Sequence, residues 1–430
     1  MRQHSMRSLS LMTITLALPL WGEAAELSSQ PSDGVRFEPT LVLEIHAKSM
    51  VGPSIQLDEH TIAHVAWMEE KDNARTLHYA RTLPSGEALS SPAAVNGQDE
   101  VPYWRQEAPA LEVQDNRIYL VWAKMPPQSS ADKPFANELR LSRSVDGGKT
   151  FLPSALINDD GEPVNHSFDS IRIGQEGAIH VAWIDGRGGK KASGTYASRS
   201  TDHGLTFDKN KKIDDDTCVC CRTSVAIAPD GTLYVAWRKM FGDIRETVVA
   251  RSSDGGTTFS EPVIVGNDRW NYPSCPHRPA SLGVDGDGRV YVIWYTEGED
   301  EMPAVYVAYS DDRAQTFSPK HQLNRSKGTF PDHPQLAVDR RGRVVAIWEE
   351  LSPVRREVVV SYSLDRGQTF SAPLKVNEKK GETPTIAVNT TGQFVLAWKE
   401  HAMPNHRIIL QRIVLPEPPL PVALGERAPQ

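Results

Sequence analysis

The sequence predicts an all-β fold, a β-propeller of seven four-stranded blades, and three observations support this prediction. A turn pattern, Ser-x-Asp-x-Gly-x-Thr-Phe, recurs every 52 to 58 residues. An apolar strand that ends in Trp recurs in step with it. Between these landmarks, β-branched runs alternate with turn residues at the spacing of short strands. Repetition at a period of about 50 residues indicates a repeat architecture, and four-stranded sheets repeated radially form a propeller.

The turn pattern resembles the Asp-box of the sialidase-like (BNR) propeller family. It has four full copies and a fifth in which Ala314 replaces the Gly: Ser144–Phe151, Ser200–Phe207, Ser252–Phe259, Ser363–Phe370 and Ser310–Phe317. An Asp carboxylate in a turn accepts hydrogen bonds from nearby backbone N–H groups. The resemblance implies that each box joins the third and fourth strands of a blade, on the face opposite the active site. We therefore expect fold roles, not catalytic roles, for the five box aspartates, Asp146, Asp202, Asp254, Asp312 and Asp365.

The Trp strands set the number of blades. Seven of them occur, ending at Trp67, Trp122, Trp183, Trp237, Trp294, Trp348 and Trp398. Seven repeats predict seven blades, and six blades with an appended sheet is the alternative. The last repeat offers only three strands, whereas Thr40–Ile45 forms an extra strand before the first repeat. We expect Thr40–Ile45 to complete the last blade and so tie the two ends of the chain together.

The N-terminus reads as an export signal. Arg2 and Arg7 precede an apolar stretch, Ser8–Trp21, that is short for a membrane span, and small residues place cleavage after Ala24. The resulting division is a signal peptide over 1–24, a linker over 25–39, the propeller over 40–415 and a Pro-rich tail over 416–430, which we expect to be disordered. The sequence thus predicts a periplasmic or secreted protein whose mature chain does not insert into a membrane.

Charge excludes one class of partner. The formal net charge is −8 and no long basic run occurs. Nonspecific nucleic-acid binding depends on Lys and Arg that neutralise phosphates. We therefore expect no nucleic-acid partner.

All four cysteines of the protein precede inner strands of adjacent repeats. Cys218, Cys220 and Cys221 precede the inner strand of the fourth repeat, and Cys275 takes the matching place in the fifth. Loops that lead into inner strands line one mouth of a propeller, so these sulfurs should gather there. Two interpretations stay open. One is a pair of structural disulfides; the other is a copper or zinc site of thiolates and imidazole.

Histidines at the same mouth favour the metal interpretation. His277 lies two residues after Cys275, and His333 takes a similar place in the sixth repeat. Metal ligands are therefore proposed as Cys218, Cys220, Cys221, Cys275, His277 and His333.

The family resemblance implies a different use of this mouth. Sialidase-like enzymes hold a substrate carboxylate with three Arg and use an Asp acid with a Tyr nucleophile that a Glu assists. The matching candidates precede inner strands: Arg105, Arg222 and Arg278 for the ligand, and Asp169 with Tyr272, or Tyr103, for catalysis. The early Arg-Ile-Pro signature of the family is replaced by Val35-Arg36-Phe37-Glu38-Pro39. No Tyr–Glu pair can be assigned, which puts catalysis in doubt.

Three hypotheses about function follow. The first is an exported propeller that binds a small anionic or glycan ligand at its mouth; if it is an enzyme, the resemblance implies a sialidase-like glycoside hydrolase. The second is an exported metal-binding protein that uses the cysteine cluster. The third is a non-catalytic interaction scaffold.

Overall fold

A computed structural model describes residues 34–72, 74–101, 108–125, 135–189, 193–324, 328–402 and 405–416. The segment predicted to be a signal peptide and all but the first residue of the Pro-rich tail lie outside these residues. The described chain forms seven antiparallel sheets and contains no α-helix. The predicted all-β propeller of seven blades is confirmed. Among the described residues, no helix has the length and apolarity needed to cross a membrane.

Each of the first three blades runs from its inner strand outward in chain order. Two short strands precede them, β1 (Arg36–Phe37) and β2 (Leu41–Ile45). Blades 1 to 3 consist of β3 (Ser49–Leu57), β4 (Ala63–Lys71), β5 (Ala74–Arg81) and β6 (Ala93–Ala94); β7 (Ala110–Gln114), β8 (Arg117–Lys124), β9 (Glu138–Ser144) and β10 (Leu152–Leu156); and β11 (His166–Ile173), β12 (Ile179–Asp185), β13 (Gly194–Ser200) and β14 (Lys211–Asp214).

The remaining blades repeat this plan. Blade 4 carries an additional short strand, β19, that pairs with its third strand. Blades 4 to 7 consist of β15 (Ser224–Ile227), β16 (Leu233–Phe241), β17 (Ile244–Ser252), β18 (Val263–Ile264) and β19 (Trp270–Asn271); β20 (Ser281–Val284), β21 (Val290–Thr296), β22 (Ala304–Ser310) and β23 (His321–Gln322); β24 (Phe330–Val338), β25 (Val344–Leu351), β26 (Arg356–Ser363) and β27 (Leu374–Lys375); and β28 (Gly381–Val388), β29 (Phe394–Ala402) and β30 (Asn405–Val414), with β2.

Strand β2 closes the ring as the sequence predicts. It pairs antiparallel with β30, in a register that places Leu41 opposite Leu410 and Ile45 opposite His406. Strand β1 pairs with the end of β30 as well. The side chain of Val35 is 1% exposed and packs in the core beside blade 7. The fold therefore includes Val35 and with it part of the segment that the sequence assigned to the linker.

Apolar contacts between neighbouring blades hold the ring together. Seven clusters of buried side chains each combine residues of two adjacent blades, and one of them joins blade 7 to blade 1. The Trp of each second strand lies in these layers, within the strand and not at its end; Trp67, Trp183 and Trp348 are fully buried. Since each sheet buries its faces only against its neighbours, closure by β2 supports every blade.

The five Asp-boxes have the turn geometry that the sequence predicts. In each box, the carboxylate accepts the Thr backbone N–H at 2.9–3.0 Å and the Thr hydroxyl at 2.6 Å. The box Ser hydroxyl donates to the same carboxylate, at 2.7–2.8 Å. Ala314 takes the left-handed conformation of the Gly that it replaces, with a φ of 58°. Every box joins a third strand to a fourth, at the end of the blade away from the start of the inner strand.

Candidate functional site at the axial mouth

A cavity of about 150 Å³ lies at the mouth where the inner strands begin. Every blade contributes to its wall, so the cavity lies on the axis of the propeller. One wall residue from each blade, in order, is Gly52, Ala108, Phe168, Arg222, His277, His333 and Thr383. We call this space the axial cavity.

Irregular backbone at the start of the inner strands shapes this wall. The pairing of β11, β24 and β28 with the second strand shifts register at Phe168, His333 and Thr383, and each of these residues has a φ between 46° and 59°. Gly52 takes the same place in β3, with a φ of 114°. A bulge re-aims a side chain out of the regular alternation of a strand. Repeating the bulge in four blades therefore turns residues of adjacent blades toward one space.

Cationic side chains outnumber carboxylates on the cavity wall. Arg222, His333 and Lys399 line the cavity, whereas Glu382 is the one carboxylate among the described wall residues. Burial raises the pKa of Glu382, but His401, Lys399 and Arg356 outweigh it, so that the pKa lies below its ordinary value. Glu382 is thus ionised, and its charge is already matched by these cationic neighbours.

His333 is held in its charged form. Burial disfavours the imidazolium, but Glu349 and Asp332 more than offset this and raise the pKa of His333 to about 9, against an opposing effect of Arg278. The Nδ1 atom lies 3.0 Å from Oε1 of Glu349. Neither Glu349 nor Asp332 lines the cavity. At neutral pH, His333 therefore presents a positive charge to the cavity with its counter-ions behind it.

Asp169, the acid candidate, lies behind Arg222. Its side chain borders a separate cavity of about 20 Å³ that shares Ala108 and Arg222 with the axial cavity. Burial raises the pKa of Asp169 to about 6, although the charge of Arg222 opposes the shift, and Oδ2 is buried without a hydrogen-bond partner. Arg222 itself donates to the backbone carbonyl of Ala108. Asp169 therefore lies beside Arg222 and does not reach the wall of the axial cavity.

Two other candidates derived from the resemblance lie away from the cavity wall. The guanidinium of Arg278 donates to Oδ2 of Asp332 at 3.1 Å and lies 4.6 Å from the ring centre of Tyr295. The expectation that Arg278 shares one cavity with Arg222 is wrong, because these partners draw its guanidinium aside. Tyr272 stacks on Trp270, with 4.9 Å between ring centres, and is likewise absent from the wall. Arg105 and Tyr103 lie outside the described residues.

Three of the four cysteine sulfurs come together. Sγ of Cys218 lies 3.7 Å from Sγ of Cys220 and 3.9 Å from Sγ of Cys221, and all three side chains are 1–4% exposed. Burial raises the pKa of the Cys221 thiol, but the other two thiols, the charge of Arg238 and the backbone N–H of Arg278 outweigh it, so that the pKa is lowered. We call these three residues the cysteine triad.

The remaining proposed metal ligands do not join the triad. Cys275 is exposed, and none of the four cysteines forms a disulfide in the structure. No imidazole or fourth sulfur of the described residues lies within the 4.8 Å that encloses the triad. His277 and His333 line the axial cavity instead, as does Cys220. The prediction of at least three converging sulfurs is therefore correct. Cys275, His277 and His333 lie outside the triad, because Cys275 and His277 precede β20 of blade 5 and His333 lies in β24 of blade 6.

The sequence did not single out Lys399 or Glu349. Lys399 comes directly after Trp398, and Glu349 comes directly after Trp348. The position after each Trp therefore carried a signal, because it lies in the last part of the second strand, near the mouth. His166, the first residue of β11, is fully buried, and its Nε2 atom lies 3.1 Å from Oδ2 of Asp160 and 3.7 Å from Oδ2 of Asp185.

Comparisons with known proteins agree on the fold. An ulvan lyase of polysaccharide lyase family PL25, bound to -[GlcA(1-4)Rha3S]-, superposes with a TM-score of 0.56 at 10% identity, over 83% of this chain and 93% of the lyase. A protein of unknown function from Dyadobacter fermentans superposes with a TM-score of 0.52 at 14% identity, over 89% of this chain and 100% of that protein. With five Asp-boxes in seven blades, the fold is that of the sialidase-like β-propellers.

Sequence relatives cover little of the chain. Invertase 1 of Saccharomyces cerevisiae is 34% identical over 96 residues, which are 22% of this chain and 16% of the invertase. Invertase 2 of the same yeast matches to the same extent. The match therefore spans about a sixth of the length of these curated relatives. No known family profile matches the chain.

Proposed function

We propose that this protein is a glycan-binding propeller that holds an acidic sugar in its axial cavity, outside the cytoplasm. The observation that supports this most is the charge of the wall, where Arg222, His333 and Lys399 face a single carboxylate that is already paired. Charge-assisted hydrogen bonds to a carboxylate or a sulfate are among the stronger polar contacts available to a protein. Their convergence from blades 4, 6 and 7 suits one small anionic group.

The size of the cavity suits one terminal residue of a glycan. Its volume of about 150 Å³ is below the ~300–1,000 Å³ of pockets that enclose drug-sized ligands. Phe168 and Pro334 add apolar surface to the wall, against which the carbon face of a sugar ring can pack. A charged rim with one apolar side is a common way to orient an amphipathic ligand. The ulvan lyase, whose ligand contains GlcA and Rha3S, shares the fold and suggests the first probe.

The geometry favours binding over hydrolysis. Most glycoside hydrolases require two carboxyl groups that flank the scissile bond. Among the described wall residues, Glu382 is the single carboxylate, and its lowered pKa unfits it as a general acid at neutral pH. Asp169 has a raised pKa that suits an acid, but it lies behind Arg222. We therefore propose recognition of the glycan with little or no turnover, in agreement with the absence of an assignable Tyr–Glu pair.

Binding of defined oligosaccharides tests this proposal. Isothermal titration with the GlcA–Rha3S disaccharide, with sialyllactose and with a neutral disaccharide of similar size should show binding of an acidic sugar and none of the neutral one. Arg222→Gln should weaken binding by roughly 10–150-fold, since a hydrogen bond to a charged group contributes ~1.5–3 kcal/mol. Arg143→Gln is the matched control, because Arg143 lies on the Asp-box side and donates to the carbonyl of His203.

Equal affinity for the neutral and acidic sugars would contradict the role of charge. Unchanged affinity in Arg222→Gln would remove the axial cavity from the proposal. Release of a monosaccharide from sialyllactose at a rate abolished by Asp169→Asn would instead restore the hydrolase hypothesis.

A further inference from the structure

We propose that the cysteine triad is a binding site for a single soft monovalent metal ion of the Cu(I) type, distinct from the glycan site of the axial cavity. Nothing in the glycan proposal uses Cys218, Cys220 or Cys221. Four observations support the metal site: the spacing of the sulfurs, the way the loop is held, a buried cation with two nitrogen atoms that lack hydrogen-bond partners, and a path from the axial cavity.

The spacing of the sulfurs matches three ligands of one ion. A metal held ~2.3 Å from three thiolates in a plane separates them by ~4 Å. The measured separations from Cys218 are 3.7 and 3.9 Å, and all three sulfurs lie within 4.8 Å of one another. Structural zinc sites take four ligands in a tetrahedron. Since no fourth Cys, His or carboxylate of the described residues joins the group, a three-coordinate thiolate site suits Cu(I) better, and soft sulfur ligands select that ion.

The backbone holds the triad in place at both ends. The N–H of Cys218 donates to the carbonyl of Arg238 at 2.8 Å, and the N–H of Thr223 donates to the carbonyl of Phe168 at 3.0 Å. The preceding residue, Thr217, bridges to β16 at Lys239. Phe168, Val219 and Met240 pack around the sulfurs. The loop is therefore preorganised, and a bound ion would not have to order it.

A buried cation accompanies the triad. Arg238 is 2% exposed, and its Nε and Nη1 atoms have no hydrogen-bond partner, although Nη2 donates to the carbonyls of Arg278 and Tyr295. Burying a charge is costly; the carboxylate of Glu246 acts on this guanidinium electrostatically, and the ring centre of Trp270 lies 5.0 Å from it. Three thiolates and one Cu(I) carry a net charge of −2, which the guanidinium would partly balance. An empty triad of neutral thiols would leave that charge without this partner.

The axial cavity provides access. Cys220 lines this cavity although it is 4% exposed, beside Arg222 and His277. An ion can therefore reach the triad from the mouth. Thiols that carry a proton release it when the ion binds, because the thiolate is the ligand.

Anaerobic titration of the reduced full-length protein with Cu(I), against a chromophoric Cu(I) chelator, tests the proposal. We expect one equivalent per chain, and X-ray absorption of the loaded protein should report three sulfur neighbours. Cys220→Ser should weaken binding on the order of 100-fold or more. Cys275→Ser is the matched control, because Cys275 is exposed and outside the triad, and it should retain the wild-type affinity.

Several results would overturn the proposal. The first is fewer than 0.5 equivalents of tightly held copper in wild type, which is about half occupancy of one site. The second is an equal loss of copper affinity in Cys220→Ser and Cys275→Ser. The third is no free thiol in the denatured, unreduced protein, which would mean that the cysteines form structural disulfides. Sulfur counting on wild type does not depend on whether a variant folds. Glycan binding by the metal-free protein separates the two sites, since its failure would leave the copper result intact.

Discussion

The Asp-box of blade 6 offers the sharpest test of a fold role. In Asp365, Oδ1 accepts the backbone N–H of Thr369 at 2.9 Å and the hydroxyl of Ser363 at 2.7 Å, and Oδ2 accepts the Thr369 hydroxyl at 2.6 Å. Asp365→Ala removes both acceptor oxygens and with them all three hydrogen bonds. The change leaves the Thr369 N–H without its charged partner, in a turn where Asp365 is half-buried and Thr369 is exposed.

The expected cost follows from those contacts. Hydrogen bonds to a charged group contribute ~1.5–3 kcal/mol, and water recovers part of the loss at a half-buried turn, so we expect a total of ~1.5–3 kcal/mol. An unfolding entropy of ~2 cal/mol/K per residue gives roughly 0.8 kcal/mol/K for a propeller of about 380 residues. The melting temperature should therefore fall by roughly 2–4 °C in scanning calorimetry. The exposed Asp300→Ala serves as the control and should shift it by much less.

The same variant separates fold from function. Asp365 lies on the face opposite the axial cavity, so affinity for the acidic disaccharide per folded molecule should equal that of wild type. Burial raises the pKa of Asp365, but Thr369 and Ser363 outweigh it and lower the pKa below 3.8. Its contribution should thus be complete above that value and fade as the pH falls through the lowered pKa. An unchanged melting temperature together with lost binding would refute the fold role.

Three further outcomes are expected. His333 has a folded pKa of about 9 against an ordinary value of 6.5, so its charge favours the folded state fully below pH 6.5. Both this stabilisation and the affinity for an acidic sugar should fall as the pH rises through 9. A pH titration in which His333→Gln shows the same fall as wild type would contradict this. Ile45→Ala, at a position 2% exposed in the closing strand, should cost ~2–5 kcal/mol in urea unfolding, and a loss under 1 kcal/mol would mean that closure is dispensable. Gly148→Ala should destabilise the fold strongly because the new Cβ would lie 1.9 Å from the ring of Tyr79. Gly189→Ala, with the same φ of 82° and open space around it, should cost only backbone strain. Equal melting temperatures of the two variants would refute the steric argument.

Repeated features of the fold could be predicted from the sequence because each copy reports the same local physics. The Trp strands gave the number of blades, and the three-strand last repeat gave the pairing of β2. The linker boundary was misplaced because Val35 and β1 belong to no repeat, and only the tertiary core at blade 7 shows that Val35 is buried.

The site was only partly predictable. The repeat register correctly brought Arg222, His277 and His333 to one mouth, because equivalent loops of all blades converge there. It could not show where a long side chain turns. The guanidinium of Arg278 contacts Asp332 and the Tyr295 ring, and the imidazole of His166 contacts Asp160. These nearby charges and rings decide where each side chain points more than the position of its backbone does. Asp169 likewise needed the structure to show that it lies behind Arg222.

The pairing of β2 with β30 also constrains the order in which the chain can fold. Strand β2 ends at Ile45, whereas its partner begins at Asn405, so the ribosome makes β2 some 360 residues before it reaches β30. At ~5–20 residues per second, that interval lasts roughly 20–70 s. During this time the apolar side chains of β2 have no native partner, and blade 1 has no seventh blade to cover its other face. The protein thus reaches its native ring only after β30 has been synthesised, so its early strands must stay unpaired or be shielded until then.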